Sequence, residues 1–123
     1  MRELLIIGVF SSLMAVANMA FATDLACEVY PKAGGVVSGN GTSSCDAIDF
    51  SFGNSTSGRF YLSNISKPIN QIIWQDDASC SGGTSCGVTV RAYTTTSASA
   101  LILYKDGTYE TTNAASIYYE TGF

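Results

Sequence analysis

The sequence predicts an all-β protein: an antiparallel β-sandwich of about seven or eight strands, stapled by disulfides and preceded by an N-terminal signal helix. Three observations carry this reading. Short segments with apolar alternation recur at intervals of roughly ten residues between clusters of Gly, Ser, Asn and Pro. No stretch beyond residue 22 holds a helical period over three turns. The four cysteines are even in number and follow an export-like leader, so disulfides are the default.

Met1, Arg2 and Glu3 open the chain, residues 4–16 are an apolar run, and Ala20, Phe21 and Ala22 supply the small-x-small pattern read by a signal peptidase. Cleavage is expected between Ala22 and Thr23. A single-span anchor is the rival, needing roughly 18 uninterrupted apolar residues. Asn18 interrupts the run, Glu3 cancels Arg2, and no stop-transfer flank follows. Residues 1–22 are therefore read as signal peptide and residues 23–123 as one secreted domain, long enough for a single modest core.

Residues 25–31 form the first strand candidate, with Leu25, Cys27 and Val29 on one face and Ala26, Glu28 and Tyr30 on the other; Pro31 ends it. Residues 33–44 read as a Gly-Ser loop in which Val36 and Val37 return briefly to a sheet edge. Residues 46–52 alternate, which predicts Ile48, Phe50 and Phe52 facing inward and Asp49 and Ser51 outward. After a turn cluster at 53–58, residues 59–64 place Phe60 and Leu62 inward.

Residues 69–93 read as a hairpin around which the rest is organised. Its first arm is 69–74, its second 88–93, and its tip is the acidic turn at Asp76 and Asp77 with the Gly-Ser loop between Cys80 and Cys86. Trp74 is assigned to the core, because a large aromatic buries as much area as two aliphatics. Residues 94–99 read as a polar connection and 100–105 as a dense apolar strand. Asp106 and Gly107 predict a two-residue hairpin turn, and residues 115–120 a last strand.

Four cysteines allow three pairings. Cys27 with Cys45 and Cys80 with Cys86 are favoured, since each pair is close in the chain and brackets a flexible Gly-Ser segment. The alternative joins Cys45 to Cys86 and Cys27 to Cys80. A zinc site is disfavoured, there being no CxxC pair and no histidine in the sequence.

Ten acidic against six basic residues give a net charge of −4, with no basic stripe to neutralise phosphates, so nucleic acid is not an expected partner. The strand order, the tryptophan on a central strand at Trp74, the closing hairpin at Asp106 and Gly107 and the tyrosines near the last strand resemble an immunoglobulin-like or fibronectin type III-like β-sandwich of secreted bacterial proteins. The resemblance implies an architecture only. The separation of Cys80 and Cys86 departs from the inter-sheet bridge of antibody domains.

The lack of histidine removes Ser-His-Asp and Cys-His catalysis, leaving carboxylates as the chemistry available. Asp46 with Asp49 and Asp76 with Asp77 are the close acidic pairs, and neighbours on a strand point to opposite faces, so an enzyme is not expected. Asp76, Asp77 and the Gly82-Gly83 carbonyls lack the regular spacing of a calcium loop, and no cofactor or metal is expected. Tyr61, Tyr93, Tyr109 and Tyr118 fall opposite the predicted core faces. With Asp76 and Asp77 they are the candidate binding residues. The sequence thus predicts a secreted or periplasmic, non-enzymatic binding module for a surface glycan or protein partner, with no membrane span after cleavage. The alternatives are an inhibitor presenting the Cys80 to Cys86 loop to a secreted hydrolase, and a pilus or surface-layer subunit.

Overall fold

A computed structural model describes residues 23–122; the expected signal segment and Phe123 lie outside the described residues. Nine strands and no helix occur among the described residues: β1 (Asp24–Tyr30), β2 (Gly35–Ser38), β3 (Ser44–Asp49), β4 (Ser55–Ser63), β5 (Ile69–Asp76), β6 (Ser85–Arg91), β7 (Thr95–Tyr104), β8 (Tyr109–Thr111) and β9 (Ala115–Glu120). They form two sheets, one in the order β1-β4-β6 and one in the order β2-β3-β9-β7-β5, with β8 also paired to β7. Leu25, Phe60, Val90, Ile102, Ile117 and Tyr119 are buried between them. The all-β, disulfide-bonded, two-sheet expectation therefore holds, with nine strands in place of seven or eight. One pairing corrects the antiparallel expectation, because β3 and β9 run parallel.

Both favoured disulfides are present, Cys27–Cys45 and Cys80–Cys86. The first fixes which way β3 faces. Cys27 and Cys45 are both buried, so Ala47 and Asp49, two and four residues on, also point inward, and the alternation expected for this segment is reversed. Ile48, Phe50 and Phe52 are 37%, 52% and 82% exposed, whereas Asp49 is buried. The acid is tolerated inside because its oxygens accept hydrogen bonds from the Tyr119 hydroxyl (2.6 Å) and the backbone N–H groups of Lys32 (2.7 Å), Ala33 (3.1 Å) and Ser51 (3.0 Å).

The hairpin expected over 69–93 is not formed. β5 pairs with β7 in the larger sheet and β6 with β4 in the smaller one. A hairpin would aim both apolar faces the same way; here Ile72 and Trp74 of β5 and Cys86 and Val90 of β6 are buried from opposite sheets, so both stripes are used in one core. The connecting residues 77–84 fold over the inner face of β5, where the Trp74 indole N–H donates to the carbonyls of Gly82 and Gly83, both at 3.2 Å. Trp74 is a core residue, as expected.

β4 begins at Ser55, within the expected turn cluster, because Gly58 is a ladder position. A Cβ there would lie 2.9 Å from the Glu28 carbonyl oxygen and a Val90 methyl within its own sheet and 3.0 Å from Ile117 Cδ1 across the core, so glycine allows the two sheets to close on each other. β7 likewise starts at Thr95, absorbing the expected polar connection. The turn at 106–107 is three residues long, not two: Gly107 N–H bonds the Tyr104 carbonyl (3.1 Å), Tyr104 N–H bonds the Thr108 carbonyl (2.8 Å), and positive φ falls on Gly107 but not on Asp106.

The free side of β1 is closed residue by residue. Asn113 bonds the N–H (2.9 Å) and carbonyl (3.0 Å) of Leu25, and Asn40 does the same for Val29 (3.0 and 3.2 Å). Between them Cys27 bonds the backbone of Thr42 and Gly41, both at 2.9 Å. Two side-chain amides and a loop thus stand in for a neighbouring strand.

Candidate binding surface

The reversed parity of β3 creates an apolar end on the larger sheet. β3 and β9 finish there, and β2 and β7 begin there. Val36 and Ile48 are cross-strand partners, both exposed, and Phe50 and Phe52 continue from β3. Gly122 draws Phe52 and Tyr93 together: a Cβ on it would lie 4.0 Å from the Phe52 ring and 3.6 Å from the Tyr93 hydroxyl. Five large apolar side chains, Val36, Ile48, Phe50, Phe52 and Tyr93, are therefore left exposed at one end of the molecule.

Tyr93 is held in an unusual conformation. Its φ of 63° lies in the left-handed region, which costs a non-glycine residue about 1–2 kcal/mol. Two contacts offset that cost: its N–H donates to the Tyr119 carbonyl at 2.7 Å and its hydroxyl to the Thr121 carbonyl. The result is an exposed ring pinned beside Phe52. Tyr118, on the outer face of β9, is the chain neighbour of Tyr119, whose carbonyl accepts the Tyr93 N–H, and pairs across the ladder with Thr95, two residues after Tyr93. Burial, then Glu120, then Tyr93 push the Tyr118 hydroxyl pKa upward.

The other candidate residues do not join this cluster, although Asp76 and Asp77 lie toward the same end of the larger sheet, beside Ala98 and Ser97 near the start of β7. Tyr109 is 72% exposed on β8, at the far end of β7. Asp76 and Asp77 close β5 at an outer edge of the larger sheet, where the Asp77 carboxylate accepts the Ser97 N–H at 2.8 Å and Asp76 adopts φ 63°. Tyr61 stands on the outer face of the smaller sheet with one ring face taken, the Arg59 guanidinium lying 4.4 Å from its centroid. Arg59 also bonds Glu28 (2.9 Å), and hydrogen bonds from Tyr30 and then Arg59 hold the Glu28 carboxyl below its ordinary value. So the structure brings Tyr93 and Tyr118 to one end, adds Val36, Ile48, Phe50 and Phe52 to them, sets Asp76 and Asp77 at the opposite edge of the sheet near that end, and leaves Tyr61 and Tyr109 elsewhere. The signal lay in the favoured Cys27–Cys45 pairing itself: an inward cysteine at 45 dictates an outward residue at 48, which the apolar alternation of residues 46–52 overrides in the sequence.

A concavity of about 540 Å³ opens at the start of β1, its lining mixed between polar side chains such as Asp24, Thr42, Ser43 and Asn64 and the apolar Leu25 and Ala26. The Asp24 carboxylate accepts a 2.7 Å bond from the Asn64 amide at its wall. Among the described residues no three His, Cys, Asp or Glu side chains gather closely enough to hold a metal ion, and no helix is long and apolar enough to cross a membrane. Compared with protein-family models, with curated proteins and with solved structures, the chain matches none.

Proposed function

We propose that the chain is an exported, non-enzymatic binding module of loosely immunoglobulin-like architecture that recognises a protein partner through its apolar end. One observation carries this reading: Phe50 and Phe52 are 52% and 82% exposed at the same end as Val36, Ile48 and the conformationally fixed Tyr93. Burying a large apolar side chain is worth about 1.5–3 kcal/mol, and aromatic side chains dominate the energetics of protein interfaces. Two disulfides and a leader of signal-peptide pattern support an oxidising, extracytoplasmic location.

The test is retention of secreted proteins from the native culture fluid on the immobilised mature protein, with Phe50→Ser/Phe52→Ser as control. A specific partner retained by the wild type and reduced at least tenfold by the double variant is expected, with unchanged circular dichroism because both rings lie outside the core. Equal retention by the two proteins, or none by either, overturns the reading.

A surface glycan is the second reading, favoured by the groove beside β1, where hydroxyls, amides and the Asp24 carboxylate stand beside the apolar Leu25 and Ala26. A glycan array discriminates the two: sugar binding that survives the Phe50/Phe52 change but is lost with Asp24→Ala selects the groove. The inhibitor reading gains less support, since the carbonyls of Gly82 and Gly83 in the Cys80 to Cys86 loop are turned onto Trp74. Concentration-dependent self-association would select the structural-subunit reading.

A further inference from the structure

Thr23 would be the first residue of the processed protein, and it is buried. Its backbone nitrogen lies 3.4 Å from Glu110 Oε1 on β8, and its hydroxyl is 2.9 Å from the Tyr104 hydroxyl. Tyr104 in turn donates to Glu110 Oε2 at 2.6 Å, so both carboxylate oxygens are engaged by one small cluster. The ion pairs among the described residues are Arg59–Glu28 and Lys67–Asp106, leaving Glu110 without a cationic side chain as partner. Lys67 comes near, but its Nζ rests over the Tyr104 ring at 4.9 Å and bonds Asp106 and Thr108.

We propose that proteolytic processing completes this cluster: hydrolysis of the Ala22–Thr23 peptide bond releases an α-ammonium that Glu110 takes up as its ion-pair partner. Water supplies the balance of the reaction. Its hydroxyl goes to the Ala22 carbonyl carbon and its hydrogen to the Thr23 nitrogen, giving a carboxylate on the leader and, after protonation, an ammonium on the mature chain. An α-amino group has a pKa of about 7.7–8.0, so it is mainly charged at neutral pH. The change replaces one neutral N–H at a long 3.4 Å with a charged group carrying three donors, and charge-assisted hydrogen bonds are shorter and about twice as strong as neutral ones. Tyr104 and the Thr23 hydroxyl position the carboxylate. Maturation thereby fastens the start of β1 to β8, and the unprocessed chain lacks this clamp.

The inference rests on the exported reading of the leader, and the experiment separates the two. The protein is produced from the full chain, exported and purified, and its first residue is identified by intact mass and terminal sequencing. A start at any residue other than Thr23 overturns the processing reading and this inference together. With Thr23 first, urea unfolding is measured with the amine free and after selective acetylation at mildly acidic pH, in wild type, Glu110→Gln and Tyr104→Phe. Acetylation is expected to raise the unfolding equilibrium constant about twofold to fivefold in the wild type, consistent with a partly exposed charged pair. It should do so again in Tyr104→Phe, which keeps the carboxylate, and have no effect in Glu110→Gln. No effect in the wild type, or the same effect in Glu110→Gln, overturns the clamp while leaving export and binding untouched.

Discussion

The Asp49 carboxylate is the end point of four hydrogen bonds from three separate parts of the chain: the turn after β1, its own strand end, and Tyr119 on β9. Burial alone would raise its pKa, but the Tyr119 hydroxyl and the N–H groups of Lys32, Ser51 and Ala33 outweigh burial and hold it well below the usual carboxylate range. A folded value below the unfolded one, about 3.9, gives a stability contribution that is complete above that pH and is lost as pH falls toward the folded value. The thermal midpoint of the wild type should therefore fall steeply below about pH 4. Asp49→Asn should melt lower at pH 7 and show a flatter acid limb, because its amide neither titrates nor accepts on both sides. Glu28 and Asp106, lowered chiefly by Tyr30 and Thr108 respectively, leave a residual slope. An acid limb as steep in Asp49→Asn as in the wild type would remove Asp49 as the source. Alternation alone placed this acid in water, since Ile48, Phe50 and Phe52 outweigh two polar residues in any count of hydropathy. Counting instead from Cys45, once it is paired with the inward Cys27, puts position 49 inside.

Strand edges show what the larger elements owe to single polar groups. In the β4–β6 ladder, Leu62 N–H bonds the Thr84 carbonyl and Ala92 N–H the Asn54 carbonyl, so alternation assigns the backbone groups of Cys86, Val88 and Val90 to β4 and those of Ser85, Gly87, Thr89 and Arg91 to the open edge. Proline is accepted where the lost N–H faces outward and rejected where it serves the ladder. Thr89→Pro should leave the unfolding free energy within about 1 kcal/mol of wild type, and Val90→Pro should cost about 3 kcal/mol or more. Chemical denaturation of the two variants decides it, and equal costs would refute the assignment. On β1 the comparable change is Asn113→Ala, which leaves both polar groups of Leu25 without their amide partner; it should cost about 1–3 kcal/mol by the same measurement. Most strand positions were legible in the sequence, because β1, β3, β4, β5 and β9 each carry a period-two stripe. Partners were less so. Residues 69–93 combine two apolar arms and a Gly-Ser link, which is also the composition of a connection between sheets, and local composition does not distinguish them.

At the scale of the molecule, three strands face a sheet of six, and the two disulfides act on different parts of the resulting mismatch. At one side of the larger sheet, the inner face of β5 lies beyond the smaller sheet and is covered by residues 77–84, drawn in by Cys80–Cys86 and by the two carbonyls on the Trp74 indole. At the other side, β2 is exposed along its whole length and leads into the apolar end. Cys27–Cys45 instead ties the two sheets together, joining β1 to β3 across a separation of 18 residues. Loop entropy assigns about 3 kcal/mol to this bond and about 2–2.5 kcal/mol to the shorter ring. Removing both cysteines of a pair should separate the two roles. Cys80→Ser/Cys86→Ser should shift Trp74 fluorescence to longer wavelength in mild denaturant, before the far-ultraviolet circular dichroism changes, because the lid opens ahead of the sheets. Cys27→Ser/Cys45→Ser should lower the unfolding midpoint further, with fluorescence and circular dichroism changing together. Absence of the early shift in the first variant would mean that residues 77–84 hold to Trp74 without the bond, through the indole hydrogen bonds alone; an early shift in the second would mean that Cys80–Cys86 does not by itself keep the lid closed.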